Sequence, residues 1–184
     1  MYIFGYGSLI NAASRQLTGQ TGAAIPVIAK GLVRYWGKID DSYIMSPLVV
    51  NQGNGEVTGV LLEVSPEELV EFDRREAGYQ RVALDASQIS SDHAFDNSQP
   101  IWVYVTQYHL PPCEHSPIVQ SYVDTVLTGC LEISEQFARH FIANTVGWQF
   151  PYENDRLSPK YARMAGVSAQ HQTWIDALLL ECKA

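Results

Sequence analysis

The pattern of apolar and polar positions changes character along the chain. Up to about residue 108, short runs rich in β-branched and aromatic residues predict strands at 2–4, 24–37, 43–50, 57–64, 79–84 and 101–108. The 24–37 run is long enough for one bent strand or two. In the 101–108 run Ile101, Val103 and Val105 alternate with Trp102, Tyr104 and Thr106, the period of a sheet. Asn51-Gln52-Gly53-Asn54-Gly55 is a turn cluster, so 43–64 reads as a hairpin. Residues 87–100 are polar and read as a loop.

Helical signals interrupt and then replace this pattern. Asn11 caps a short predicted helix to about residue 17, with Gly19 as its stop. Ser65-Pro66-Glu67-Glu68 combines a capping Ser, Pro at the first helical position and Glu three residues after the cap. That helix runs to about Glu76 and stops at Gly78. From Ser116 onward helices are predicted at 116–127, 134–146 and 169–182, the last after a Pro/Tyr/Asn/Asp-rich loop. Strands followed by helices indicate an α+β fold. No linker-like stretch divides the chain, so 1–184 reads as one domain, β-rich over 1–108 and mainly helical over 116–184.

Composition narrows the partners. Of 184 residues, 46% are hydrophobic and 17% charged, enough to bury a core. The formal net charge of −8 argues against nucleic acid and against an anionic membrane surface. Cys113, Cys130 and Cys182 form an odd, widely spaced set, unlike a disulfide framework. No signal-peptide pattern opens the sequence and no apolar run approaches the ~20 residues of a membrane helix. A soluble cytoplasmic protein is expected; the sequence is silent on oligomeric state.

Two places carry candidate chemistry. Gly5-Tyr6-Gly7-Ser8-Leu9 follows a strand and precedes a helix, and successive N–H groups in such a bend make a concavity for an anion. It lacks a dinucleotide or phosphate-loop fingerprint, so a carboxylate fits better than a pyrophosphate. The same residues also suit a plain tight turn. In the 65–76 helix, Leu69, Phe72 and Glu76 share one face, which ends an apolar stripe in a carboxylate. Burial and the helix C-terminus would both raise its pKa, as a general base requires. An ion pair with Arg81 or Arg34, or a frayed helix end, would leave Glu76 without that role. Ser8 lacks the residue order of a nucleophile elbow. His109, Cys113 and His115 are close in sequence, but a zinc site needs a fuller ligand set and Pro111-Pro112 marks a surface loop.

Taken in order, four segments resemble the γ-glutamylcyclotransferase superfamily, including its ChaC-like and AIG2-like branches. Phe4-Gly5-Tyr6-Gly7-Ser8-Leu9 resembles the N-terminal Tyr-Gly-Ser-Leu signature. Residues 31–36 look like the second strand and 59–64 like the strand before the helix. Residues 72–81 are similar to the Asp-x-x-Glu-x-x-Tyr segment, whose Glu is catalytic. The resemblance spans about residues 2–108 and implies a compact mixed β-barrel flanked by helices, with a pocket between the first bend and the acidic helix. It implies cyclisation of a γ-glutamyl compound (glutathione, a γ-glutamyl amino acid or a γ-glutamyl-amine) to 5-oxoproline. Glu76 would relay the proton. Tyr6, Gly7, Ser8, Leu9, Tyr79 and Arg34 would contact substrate, with no metal, nucleotide or other cofactor. A γ-glutamyl-binding regulator without turnover, or a Ser8-dependent hydrolase, are the alternatives.

Overall fold

The computed structural model describes residues 1–19 and 22–183. In chain order the strands are β1 (Tyr2–Gly5), β2 (Ala24–Trp36), β3 (Leu48–Glu63), β4 (Gln80–Leu84), β5 (Ile89–Ser90), β6 (Ile101–Val105), β7 (Ile118–Val119), β8 (Thr145–Val146) and β9 (Tyr152–Glu153). The helices are α1 (Ala12–Gln16), α2 (Pro66–Arg75), α3 (Gln120–Ile133), α4 (Glu135–Ala143) and α5 (Ala169–Lys183).

The main sheet runs β4-β6-β1-β3-β2-β5, with β8 also beside β2. All its ladders are antiparallel except β1–β6 and β2–β8. The barrel expected from the resemblance is a half-barrel. β4 forms one edge, while β5 and β8, two residues each, are too short to carry a ladder across to it. What curls the sheet is an irregularity in the long β2–β3 hairpin. Lys30 faces Glu56 but Leu32 faces Gln52, so residues 53–55 bulge against Gly31 alone. Gly31 has φ +84°, the left-handed region glycine reaches without a Cβ penalty. The bend folds the first half of β3 back until Thr106 N–H donates to the Val50 carbonyl at 2.9 Å.

This corrects one expectation. Asn51–Gly55 does not turn the chain between two strands; it lies inside continuous β3, whose hairpin partner is β2. The 43–47 segment is not strand. Glycine and asparagine favour bulges for the same conformational reason that they favour turns.

Alternation sorts the core into three groups. Tyr2, Phe4, Val57, Leu61, Ile101, Val103 and Val105 fill the concave interior. On the opposite face of β1 and β6, Ile3 and Tyr104 pack against Leu69 and Phe72 of α2. Val60 and Leu62 of β3 instead meet the apolar faces of α3 and its neighbours. The C-terminal helices differ from expectation mainly at their ends. Ile118–Val119 pairs with β9 before α3 starts, and α3 runs on to Ile133. Ser134 caps α4, which stops at Ala143 because Thr145–Val146 joins β2.

Candidate active site

Where β1 leaves the sheet, Gly5, Tyr6 and Gly7 lead into a 3₁₀ turn over Ser8–Ile10. Asn11 then caps α1, its side chain accepting from Ser14 N–H. Its amide also donates to the Thr125 carbonyl at 2.8 Å and the Ala165 carbonyl at 3.2 Å, so this buried side chain fastens the bend to α3. The Ser8 and Leu9 N–H groups open the 3₁₀ turn, where a helix start leaves donors without intrahelical partners.

α2 begins with the predicted capping box: Glu68 N–H donates to Ser65 Oγ at 3.2 Å, and Ser65 N–H to Glu68 Oε2 at 2.8 Å. Its buried Phe72 stacks on Tyr104, with ring centroids 6.4 Å apart. Glu76 is the C-cap, its N–H donating to the Phe72 carbonyl. Gly78, at φ +100°, then reverses the chain into Tyr79 and β4.

A cavity of about 510 Å³ lies between these two pieces. Its lining includes Gly5, Tyr6, Gly7, Ser8 and Leu9 from the bend and Glu76 and Tyr79 from the end of α2. Six of the seven site residues read from sequence (Tyr6, Gly7, Ser8, Leu9, Glu76 and Tyr79) therefore border one space.

Glu76 is half-buried, and burial raises its pKa above the ordinary range, with Arg75 and Arg163 pulling the other way. Among the described residues no side chain hydrogen-bonds or ion-pairs its carboxylate. The partner considered first, Arg81, is taken by Asp73 at 2.6 Å, whose other oxygen accepts from the Tyr104 hydroxyl at 2.8 Å. Burial also raises the pKa of Tyr79, and its phenol interacts with that of Tyr43. The Tyr6 hydroxyl is committed to the Tyr104 carbonyl at 2.9 Å, which leaves its ring to shape the wall.

Arg34, the seventh residue, is not at the cavity. It is fully buried behind the bend, donating to Thr145 Oγ1, the Tyr6, Thr58 and Phe141 carbonyls, and Thr58 Oγ1. Its guanidinium lies 3.5 Å from the centroid of the Phe141 ring. Arg34 holds the back of Tyr6 rather than a ligand. His109, Cys113 and His115 are not gathered around a common point either: the His109 ring packs on Tyr35, and Cys113 turns toward Lys38 and Ser116. Among the described residues no cluster of His, Cys, Asp and Glu could hold a metal ion.

Several lining residues had no signal in the pattern. Tyr43 comes from the loop read as strand. Arg15 follows from the Asn11 cap, which sets α1 beside the bend. Tyr122, Tyr161 and Arg163 come from the C-terminal third. Tyr122 sits in the first turn of α3, edge-on to Trp36 and Tyr161. Asp155 ties the loop before Tyr161 to that turn, accepting from Ser121 N–H, Ser121 Oγ and Lys160 N–H. Ser8 has no base near it of the kind a serine nucleophile needs: no described histidine or lysine lines the cavity. No described helix is long and apolar enough to cross a membrane.

Known proteins match this arrangement. The family described as gamma-glutamyl cyclotransferase, AIG2-like, matches residues 3–122. A solved structure described as a gamma-glutamyl cyclotransferase superposes with a TM-score of 0.59 at 14% identity, covering 96% of this chain and 98% of that one. An uncharacterized protein from Homo sapiens gives 0.61 at 15% identity, over 95% and 97% of the two chains. YkqA from Bacillus subtilis gives 0.56 at 19% identity, over 77% of this chain and 54% of its own. At such identities these structures speak for the fold. No curated protein matches the sequence. The family match covers more than half of the chain and includes both the glycine bend and the acidic helix, and the chain belongs to the gamma-glutamyl cyclotransferase, AIG2-like family.

Proposed function

We propose that the protein cyclises a γ-glutamyl compound to 5-oxoproline and releases the amine, with Glu76 as the proton-transfer residue. One observation supports this above the others. The Glu76 carboxyl, half-dry and without a competing partner among the described residues, borders the same cavity as the Gly5–Leu9 bend.

The chemistry needs little else. The substrate's α-ammonium gives a proton to Glu76, and the free amine attacks the γ-carbonyl carbon of the same molecule. The new C–N bond closes a five-membered lactam as the old C–N bond breaks; Glu76 gives its proton to the leaving nitrogen and takes the second proton of the attacking nitrogen, which the released amine carries away as an ammonium. Both reacting groups belong to one molecule, so holding the folded conformer supplies much of the acceleration. The Leu9 N–H is placed to bind an anionic oxygen, either the glutamyl carboxylate or the developing oxyanion, while the Ser8 N–H is held by the Tyr122 phenol behind it. Tyr79 keeps its phenolic proton at working pH and serves as a hydrogen-bond donor.

The test is 5-oxoproline release from glutathione, γ-glutamyl-alanine and a γ-glutamyl-amine. Glu76→Gln should retain the fold and lose turnover by about 10²-fold or more. A Glu76→Gln enzyme near wild-type rate would reject the assignment. Ligand binding without 5-oxoproline from any substrate would make the protein a binder.

A further inference from the structure

The charges around the cavity do not balance. Arg15, Arg75 and Arg163 line it against a single carboxylate, Glu76. The protein as a whole is acidic, so this excess of positive charge is local. The head of a γ-glutamyl substrate is zwitterionic, one ammonium and one carboxylate, and does not answer it. A second anionic group has to come from the leaving amine.

One of the three arginines is built differently. Arg75 and Arg163 are exposed; Arg75 lies over the Phe72 ring and Arg163 beside Tyr161. Arg15 is only 7% exposed. Its Nη1 donates to the Leu9 carbonyl at 2.7 Å and the Ile10 carbonyl at 3.0 Å, fixing the guanidinium against the bend. Among the described residues its Nε is buried without a hydrogen-bond partner. Glu132 is, among the described residues, the carboxylate that acts on it electrostatically, and it does not pair with it. A buried guanidinium with unused donors is costly unless an acceptor completes it. Ser14 and Thr18, which flank it on the cavity wall, add hydroxyl groups to the same corner.

We propose that Arg15 anchors a carboxylate on the leaving amine, so that the enzyme prefers γ-glutamyl amino acids or peptides to γ-glutamyl amines. This rests on the cyclotransferase reading and names its substrate class. A carboxylate would supply an acceptor on the Nη2 side of the guanidinium, whose Nη1 the Leu9 and Ile10 carbonyls occupy.

The experiment compares γ-glutamyl-alanine with γ-glutamyl-ethylamide, which lacks only that carboxylate. Wild-type kcat/KM should favour the acid by about 10- to 100-fold, the worth of one charge-assisted contact. In Arg15→Met the ratio should fall toward one, and Arg15→Lys should recover part of it. The ratio is taken within each protein, so a loosened bend that lowers both rates does not imitate the effect. Equal wild-type rates on the two compounds would overturn the inference and leave the cyclotransferase reading standing. A preference that survives Arg15→Met, or an equal loss on both compounds, would remove Arg15 as the anchor. Release of 5-oxoproline from neither compound, nor from glutathione, would sink both readings.

Discussion

The phenol oxygen of Tyr122 lies 2.8 Å from the point where a Cβ on Gly7 would sit. The position has no room for a Cβ. Backbone hydrogen bonds from Ser8 and Leu48 also act on that phenol, placing α3 directly against the bend. Gly7→Ala should therefore push Tyr122 or the bend aside. The expected cost is about 1–3 kcal/mol of stability, with a matching loss of 5-oxoproline formation. Adding Tyr122→Phe removes the clashing oxygen and should restore part of the loss. Denaturant midpoints and turnover of the two single variants and the double variant check this, and strict additivity would show that the contact is not the cause.

Glu76 sets activity against stability. Burial raises its pKa above the ordinary 4.5, so the folded protein holds this proton more tightly than the unfolded chain does. The stability it contributes is present below the unfolded value and is lost as pH rises through the folded one. Glu76→Gln carries no such charge and should melt above wild type at pH 7. The gap should close as the pH falls to about 4. Thermal midpoints of both proteins between those limits decide it, and a variant less stable than wild type at neutral pH would mean that the carboxylate has a partner.

Much of this was legible in the sequence because it is local. The Ser65–Glu68 box and the spacing of Leu69, Phe72 and Glu76 fix the helix and its inward carboxyl within about three turns of chain. The Gly5–Leu9 bend is equally self-contained. What stayed hidden depends on tertiary partners. The glycines at 53 and 55 act as a bulge only because Gly31 stands opposite them in β2. Tyr122, Tyr161 and Arg163 reach the cavity through the Asp155–Ser121 link and the Asn11–Thr125 bond, and neither has a periodic signature. Arg34 was misplaced for the same reason: a cation near the signature in sequence gives no hint that carbonyls from three separate segments will enclose it.

That enclosure makes Arg34 a stability residue. Its donors satisfy the Tyr6, Thr58 and Phe141 carbonyls and two threonine hydroxyls, joining β1's exit, β3 and α4. Arg34→Lys cannot span them, and each buried acceptor left bare costs about 1–3 kcal/mol. Chemical denaturation should show a loss of at least about 2 kcal/mol, while KM for a γ-glutamyl substrate in the folded variant changes less than twofold. A large KM effect with little loss of stability would instead return Arg34 to substrate contact.

Three cysteines in three settings give a last test. Cys130 is fully buried in α3, and burial pushes its pKa up to about 12. Cys182 is exposed. Cys113 is half-buried, and hydrogen bonds from the Ser116 side chain and backbone, helped by the His115 N–H and Lys38 Nζ, lower its pKa to about 7. Lys38 is 3% exposed and holds its ammonium on Ser116 Oγ at 2.6 Å, Asp41 Oδ1 at 3.0 Å and Cys113 Sγ at 3.5 Å, so it cannot swing away from the thiol without losing all three. Because the thiolate is the reacting form, iodoacetamide should label Cys113 with a half-maximal rate near pH 7, and Cys130 should stay unlabelled in the folded protein. Peptide mass spectrometry separates the three sites. Ser116→Ala, which removes the largest cause, should move the Cys113 midpoint toward the ordinary value of about 8.5, and Lys38→Met should move it less. A wild-type midpoint already at that ordinary value would mean that Ser116 and Lys38 satisfy each other and leave the thiol untouched.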